Sequence, residues 1–155
     1  MARNFKLFAG DIRRKQKEIA EYIANDAPRH VGKIAVDHFK LGFDNEGFTD
    51  ATLKRWKEVK RRQPPVRKGV AGKRKILQGD TGDLFSSIEF RPERRRTVIF
   101  SDKVYAQVHN EGLMAGRKGH QFQMPKRQFM GPSMVLDENI QKRFNRDIKR
   151  IMNKI

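Results

Sequence analysis

The hydrophobic pattern of the chain changes twice, and these changes constrain its fold more than any other feature of the sequence. Apolar side chains lie along one helix face over residues 12–23, and over residues 31–39 they recur at spacings of three and four, as they do in amphipathic helices. From Ile76 the period shortens, and residues 87–91 alternate apolar with polar side chains, as strands do. Helical spacing returns over residues 133–155. The chain is therefore predicted to have helices at both ends and a strand-forming region between them.

The first third of the chain is predicted to be helical. Asp11 is expected to cap a helix over residues 11–27, because its carboxylate can accept bonds from the free amides of a first turn. Pro28 is expected to break or kink the chain, since it has no amide hydrogen and its ring clashes with the preceding turn. A second helix is expected over residues 31–42. A third, short helix is expected over residues 49–56, with Thr49 or Asp50 as its cap.

The middle of the chain predicts a β-hairpin over residues 87–101, with a turn at 92–95. Residues 121–124 are expected to return as a third strand of the same small sheet. Ser133 can cap a long final helix, which carries apolar residues at spacings of four, four, four, three and four. These are Leu136, Ile140, Phe144, Ile148, Ile151 and Ile155.

Together these elements predict one α+β domain over residues 1–155. N-terminal helices and a long C-terminal helix pack on a small, mainly antiparallel β-sheet. The chain is 37% hydrophobic and 34% charged, so we expect a core that is modest or that neighbouring subunits partly complete. No apolar run is long enough for a membrane span, and the N-terminus lacks the apolar segment of a secretory signal. We therefore expect synthesis in a reducing cytoplasm and no membrane contact.

The formal net charge is +17, and most of it lies between Lys54 and Lys75, where eleven basic residues accompany only one acid, Glu58. Residues 60–75 are expected to form a mobile loop, since they cannot bury enough apolar surface to offset the entropy of ordering. The segment is either a solvated charge run or a non-specific contact to a polyanion, because one nearby aromatic, Trp56, is too few for base stacking. The candidate contact residues are Lys54, Arg55, Lys57, Lys60, Arg61, Arg62, Arg67, Lys68, Lys73, Arg74 and Lys75.

The sequence contains no cysteine, which excludes disulfides and thiolate metal sites. His109, Glu111 and His120 are suitable ligand types for zinc, but their spacing matches no standard zinc site. No Gly-rich phosphate loop and no nucleophile motif accompany them. We therefore expect no metal and no cofactor.

The net positive charge favours contact with nucleic acid, so a metal-dependent nuclease is the enzyme class to consider. Asp80, Asp83, Glu89 and Asp102 flank the predicted strands, where carboxylates can hold magnesium. However, Glu89 does not begin the acid-x-Lys pattern of restriction-type nucleases, and Asp80 and Asp83 are explained more simply as turn and cap residues. The sequence therefore predicts a protein that is not an enzyme.

An ordered set of short phrases carries a family resemblance. The phrases lie at residues 39–48, 56, 77–88, 98–100, 105–112 and 125–131. In this order and with these gaps they resemble the bacteriophage virion morphogenesis family, whose members are also described as tail completion proteins. Within the phrases we expect scaffold roles for Thr81, Gly82, Leu84, Ile88, Tyr105, His109, Asn110, Gly112, Pro125, Arg127, Phe129 and Gly131. Among these residues, Arg127 and Phe129 are expected to lock the last strand to the sheet.

The resemblance implies a structural virion protein at the phage neck or tail end, where it completes the tail and supports head–tail joining. It implies a homo-oligomeric ring around the DNA channel, with the connector, the tail terminator or the tail tube as partners. The basic segment then has either channel DNA or an acidic neighbour to contact. Two other functions remain open at this point: a non-specific nucleic-acid-binding protein that uses residues 54–75, and, third, the nuclease.

Overall fold

The computed structural model describes residues 2–63 and 69–154. The helices are α1 (Ala2–Glu21), α2 (Ala27–Asp44), α3 (Val70–Lys73), α4 (Asp83–Ser86), α5 (Ala106–Glu111) and α6 (Met134–Met152). The strands are β1 (Gly47–Thr49), β2 (Leu53–Arg55), β3 (Glu89–Glu93), β4 (Arg96–Phe100), β5 (Met114–Ala115) and β6 (Phe122–Gln123). The predicted α+β class is confirmed, but the strands form three separate two-stranded antiparallel sheets: β1 with β2, β3 with β4, and β5 with β6.

The N-terminal helices form one nearly continuous rod. The predicted cap at Asp11 is wrong, because α1 has already begun and Asp11 lies in its interior, paired with Arg14 at 2.9 Å. The interruption expected at Pro28 falls just before it, where Tyr22–Asp26 forms a π-helical turn. Pro28 has no amide to donate to the carbonyl of Ala24, and this carbonyl accepts a bond from the amide of Arg95 at 3.0 Å. The interruption thus ties the tip of the β3–β4 hairpin to the rod.

The short helix predicted over residues 49–56 is wrong, because this region forms the β1–β2 hairpin. Asp50 is nevertheless a helix cap. Its Oδ1 accepts a bond from the amide of Met134 at 3.1 Å, and its carbonyl accepts one from Val135 at 3.2 Å. Together with Ser133, whose Oγ accepts from Leu136 at 3.1 Å, Asp50 satisfies the first turn of α6. The sequence did indicate a capping residue here, but the helix that Asp50 caps is α6, far along the chain.

The predicted β3–β4 hairpin is confirmed. Residues 121–124 do contain a strand, as predicted, but this strand, β6, pairs with β5 and does not extend the hairpin. Gly116, at φ +106, allows a tight return between β5 and β6, and a Cβ there would lie 2.3 Å from the carbonyl oxygen of His120. The tight turn therefore pairs β6 with its neighbour in sequence, β5, and not with the β3–β4 hairpin.

The core is built on the inner face of α2. Phe43 is completely buried, and its ring lies 5.4 Å from Trp56, 5.7 Å from Phe85 and 5.4 Å from Phe129, measured between centroids. The β3–β4 hairpin packs on the same helix at Gly32, where a Cβ would lie 2.1 Å from the ring of Phe90. Small residues on α2 therefore set how closely the other elements approach.

α6 is confirmed as a long capped helix, but its apolar stripe is buried less than the spacing predicts. Leu136 is buried at 7% exposure, whereas the next four stripe residues, Ile140, Phe144, Ile148 and Ile151, are half-buried. Ile155 lies outside the described residues. The stripe packs mainly against α1, α2 and Tyr22 of the turn between them, and part of its width stays open to solvent.

A charged residue that the sequence pattern did not single out is buried beside this stripe. Asp147 is 2% exposed and accepts hydrogen bonds from the Tyr22 hydroxyl at 2.9 Å and from Arg143 Nε at 2.6 Å. His30 Nδ1 lies 3.2 Å from the same oxygen, Oδ2. Burial acts to raise the pKa of Asp147, but the bonds from Arg143 and Tyr22 outweigh it and the pKa is lowered. Burial, followed by the bond to Asp147, raises the pKa of Tyr22 to about 12.

The segment over residues 125–131 has no regular structure and is held by side chains. Asn110 Oδ1 accepts bonds from the amides of Phe129 at 2.8 Å and Met130 at 2.9 Å. Trp56 Nε1 donates to the carbonyl of Gln128 at 2.6 Å. The expectation that Arg127 and Phe129 lock a strand to a sheet is therefore wrong in form, because the segment is locked to α5 and to the end of the β1–β2 hairpin.

We expect Asp147→Asn to destabilise the fold by about 2–4 kcal/mol at pH 7, since it leaves Arg143 without its buried counter-charge. A carboxyl with a lowered folded pKa stabilises above its unfolded pKa, which is near 3.8. The difference between wild type and variant should therefore shrink as the pH falls below that value. Urea unfolding at several pH values measures it. Glu138→Gln, in an exposed pair on the same helix, should change stability by less than about 0.5 kcal/mol.

We expect Asn110→Ala to lower the free energy of unfolding by about 2–4 kcal/mol, because two backbone amides lose their acceptor. Asn139→Ala, on the exposed side of α6, is the matched control and should cost less than about 0.5 kcal/mol. Equal losses in the two variants, measured by urea unfolding, would contradict the anchoring role of Asn110.

Candidate interaction surface

Glu46 holds together the two ends of the loop over residues 60–75. Arg62 donates to both carboxylate oxygens of Glu46, at 2.8 and 2.6 Å, and the amide of Ile76 donates to Oε1 at 2.7 Å. The hydrogen bond from Arg62 is the main cause that lowers the pKa of Glu46. Through these bonds, one carboxylate keeps the start of this loop next to its end.

Several of the predicted contact residues are used inside the molecule. Lys54 pairs with Asp50 at 3.7 Å, Lys75 pairs with Asp44 at 2.8 Å, and Arg74 pairs with Asp80. Arg61 Nη2 donates to the carbonyls of Arg74 and Lys75 at 2.9 and 3.0 Å. Arg67 and Lys68 lie outside the described residues. In the part that the structure describes, the exposed basic residues of the segment that lack an acidic partner are Arg55, Lys57, Lys60 and Lys73.

The residues expected to act as a scaffold divide into buried and exposed groups. Leu84, Ile88 and Phe129 are in the core, at 3%, 1% and 0% exposure. Gly82 and Gly112, at φ +68 and +73, take left-handed conformations at the start of α4 and the end of α5, as glycine readily does. The half-buried members are Gly82, His109, Asn110, Pro125 and Gly131, whereas Thr81 and Tyr105 are exposed.

Three of the family phrases meet around one cavity of about 280 Å³. Its walls come from residues 76–84, from Tyr105 and His109, and from Arg127, and Val59 and Arg61 complete it. Sequence reasoning named most of these residues singly but did not predict that they share a cavity with Arg61. No local pattern reports this, because the residues come from distant segments.

The cavity contains polar atoms whose hydrogen-bonding capacity is not fully used. Arg127 is 7% exposed and donates from Nε and Nη2 to the carbonyl of Lys57 at 3.1 and 3.0 Å. Burial lowers the pKa of Arg127 and, together with the charge of Arg127, lowers that of His109. Among the described residues, His109 Nδ1 and Arg61 Nε are buried and have no hydrogen-bond partner. The arrangement can receive a small anion.

The acidic residues weighed for a nuclease are only partly brought together. Asp83, Glu89 and Asp102 line one depression of about 270 Å³ with Lys103, whereas Asp80 pairs with Arg74. Over residues 2–63 and 69–154, no three His, Asp or Glu side chains are close enough to hold a metal ion. The zinc candidates His109, Glu111 and His120 are therefore not assembled into a site.

No helix within the described ranges is long and apolar enough to cross a membrane. The sequence matches the model of the phage virion morphogenesis family over residues 29–149. Searches of curated proteins and of solved structures give no match. The matched span runs from α2 to α6, and it includes every phrase that carried the resemblance as well as the cavity between them. The chain therefore belongs to the phage virion morphogenesis family, and its role is in building the phage particle.

Proposed function

We propose that the chain is a non-enzymatic structural protein of the phage neck or tail end, which completes the tail and supports head–tail joining. The match to the phage virion morphogenesis family over residues 29–149 carries this proposal. In it, the chain is one subunit of a ring around the DNA channel, within the virion. Its partners are other structural proteins: the connector, the tail terminator or the tail tube.

The use of the family residues supports a structural role. Leu84, Ile88 and Phe129 fill the core, and Asn110 and Arg127 bond to the backbone of other segments. These are tasks of packing and anchoring rather than of proton transfer or nucleophilic attack. A protein that acts by its shape needs this kind of rigid framework.

An exposed apolar face on α1 supports self-assembly. Leu7, Phe8 and Ile12 are 65%, 62% and 41% exposed. Lys15 donates from Nζ to the carbonyl of Ile151 at 2.7 Å, so the part of α1 before Lys15 extends past the last turn of α6. Large apolar side chains exposed on one helix are covered at low cost by a neighbouring subunit in a ring.

Phage that lack this chain should accumulate heads and tails that are not joined, as seen by electron microscopy. Wild-type protein supplied in trans should restore complete virions. Phe8→Asp should fail to restore them, because it places a charge on the face proposed to contact the next subunit. Val104→Asp is the matched control, since Val104 is apolar and 93% exposed but lies outside α1.

Complete, infectious virions in the absence of the chain would contradict the proposed function. Full restoration by Phe8→Asp would contradict only the role given to α1. Metal-dependent DNA cleavage by the purified chain, lost in Glu89→Ala, would contradict the non-enzymatic proposal and favour the nuclease.

Electrostatic binding of nucleic acid is the second candidate function. Arg55, Lys57, Lys60 and Lys73 favour it, because they are exposed and have no acidic partner in the described part of the chain. Each phosphate contact by such a residue releases counter-ions, which makes the affinity fall with salt.

Replacing these four basic residues by Gln should make the slope of log K against log salt less steep by about 3 to 4, since each lost contact removes roughly 0.9. Titration of a DNA duplex with the purified, unassembled chain at several salt concentrations measures the slope. An unchanged slope would exclude these residues as the contact.

A further inference from the structure

Two guanidinium groups line the 280 Å³ cavity between the family phrases without a carboxylate partner. Arg127 is 7% exposed, and Arg61 is half-buried. Over the described ranges, neither has an Asp or Glu oxygen at salt-bridge distance. The residues outside those ranges include no Asp or Glu. A buried charge that lacks a counter-charge is costly, which favours an anion supplied from outside the chain.

The two groups also have donors to spare. Arg127 uses Nε and Nη2 on the carbonyl of Lys57, and no bond from its Nη1 is present among the described residues. Arg61 uses Nη2 on the carbonyls of Arg74 and Lys75, and its buried Nε has no partner there. His109, whose buried Nδ1 is likewise unpaired, lines the same cavity. Unsatisfied groups of this kind require an explanation, and a bound ligand supplies one.

The acids nearest the cavity do not neutralise it. Asp83 contributes to the lining, but it is exposed at the start of α4. Glu58 acts to raise the pKa of Arg127, yet its carboxylate lies 3.6 Å from Arg62 and accepts a bond from the amide of Val59. The cavity therefore keeps a net positive lining.

We propose that this cavity binds a carboxylate of a neighbouring virion protein, held by Arg127 and Arg61. The forked guanidinium matches the two oxygens of a carboxylate. Ile76, Leu77 and Leu84 in the walls suit the apolar stem of a Glu or Asp side chain better than they suit a sugar–phosphate backbone. The inference rests on the proposed function, because it takes the partner to be another structural protein of the particle.

The test uses the full chain and a capped Glu-Glu-Glu peptide, with binding followed by NMR of the Arg Nε–Hε resonances. Inorganic phosphate and a short DNA duplex are the comparison ligands. Wild type should bind the peptide saturably, and Arg61→Gln should raise the Kd about tenfold, the effect of losing one charge-assisted bond. Arg61→Lys, which keeps the charge but loses the fork, should also weaken binding. Lys60→Gln, the exposed neighbour with the same loss of charge, should change the Kd less than about twofold.

Equal weakening by Arg61→Gln and Lys60→Gln would overturn the proposal, since it would show diffuse attraction rather than a site. Stronger shifts of the same resonances with DNA or phosphate than with the peptide would also overturn it. Normal virions without the chain would refute the proposed function itself. If virions require the chain but Arg61→Gln restores them fully and the peptide does not bind, only the cavity inference fails.

Discussion

Phe43 is the side chain on which the rest of the structure depends. It is completely buried on α2, and its ring contacts Trp56, Phe85 and Phe129, which belong to three different segments. Those segments share no sheet, since each pair of strands stands alone. Aromatic packing therefore holds these segments together, as a continuous sheet does in most α+β proteins. Next to it, Gly42 lets β1 begin directly on the helix, because a Cβ there would lie 2.7 Å from the carbonyl oxygen of Gly47.

Short sheets leave many backbone groups without partners, and polar side chains supply them. Asn110 accepts from two amides of the segment over residues 125–131, Asp50 accepts from the first turn of α6, and Glu46 accepts from Ile76. Two arginines also join distant segments: Arg62 donates to the carboxylate of Glu46, and Arg127 donates to the carbonyl of Lys57. This explains how a chain with a net charge of +17 and a thin core keeps one framework.

The sequence predicted those parts of the fold that local patterns encode. Helices α2 and α6 and the β3–β4 hairpin follow from the spacing of their own side chains. Asp50 shows where that reasoning stops: its capping chemistry was recognised, but the helix that it caps begins 84 residues later. In the sequence, Asp147 looks like an ordinary polar position on an amphipathic helix. It is buried because α1 and α2 pack against α6. The cavity was not predicted for the same reason: packing brings Arg61 and Arg127 together, although they are far apart in the sequence.

The central claim is that α2 and the family phrases form one framework joined at Phe43. Native-state hydrogen exchange tests it most directly, by comparing the amides of α2 with those of Arg127, Phe129 and Met130, which are bonded to His109 and Asn110. One framework predicts that these three amides exchange only through global opening, with the same free energy as the centre of α2. Exchange of the three through a separate opening several kcal/mol lower, while α2 stays protected, would show that the phrases are an independent flap and would contradict the account.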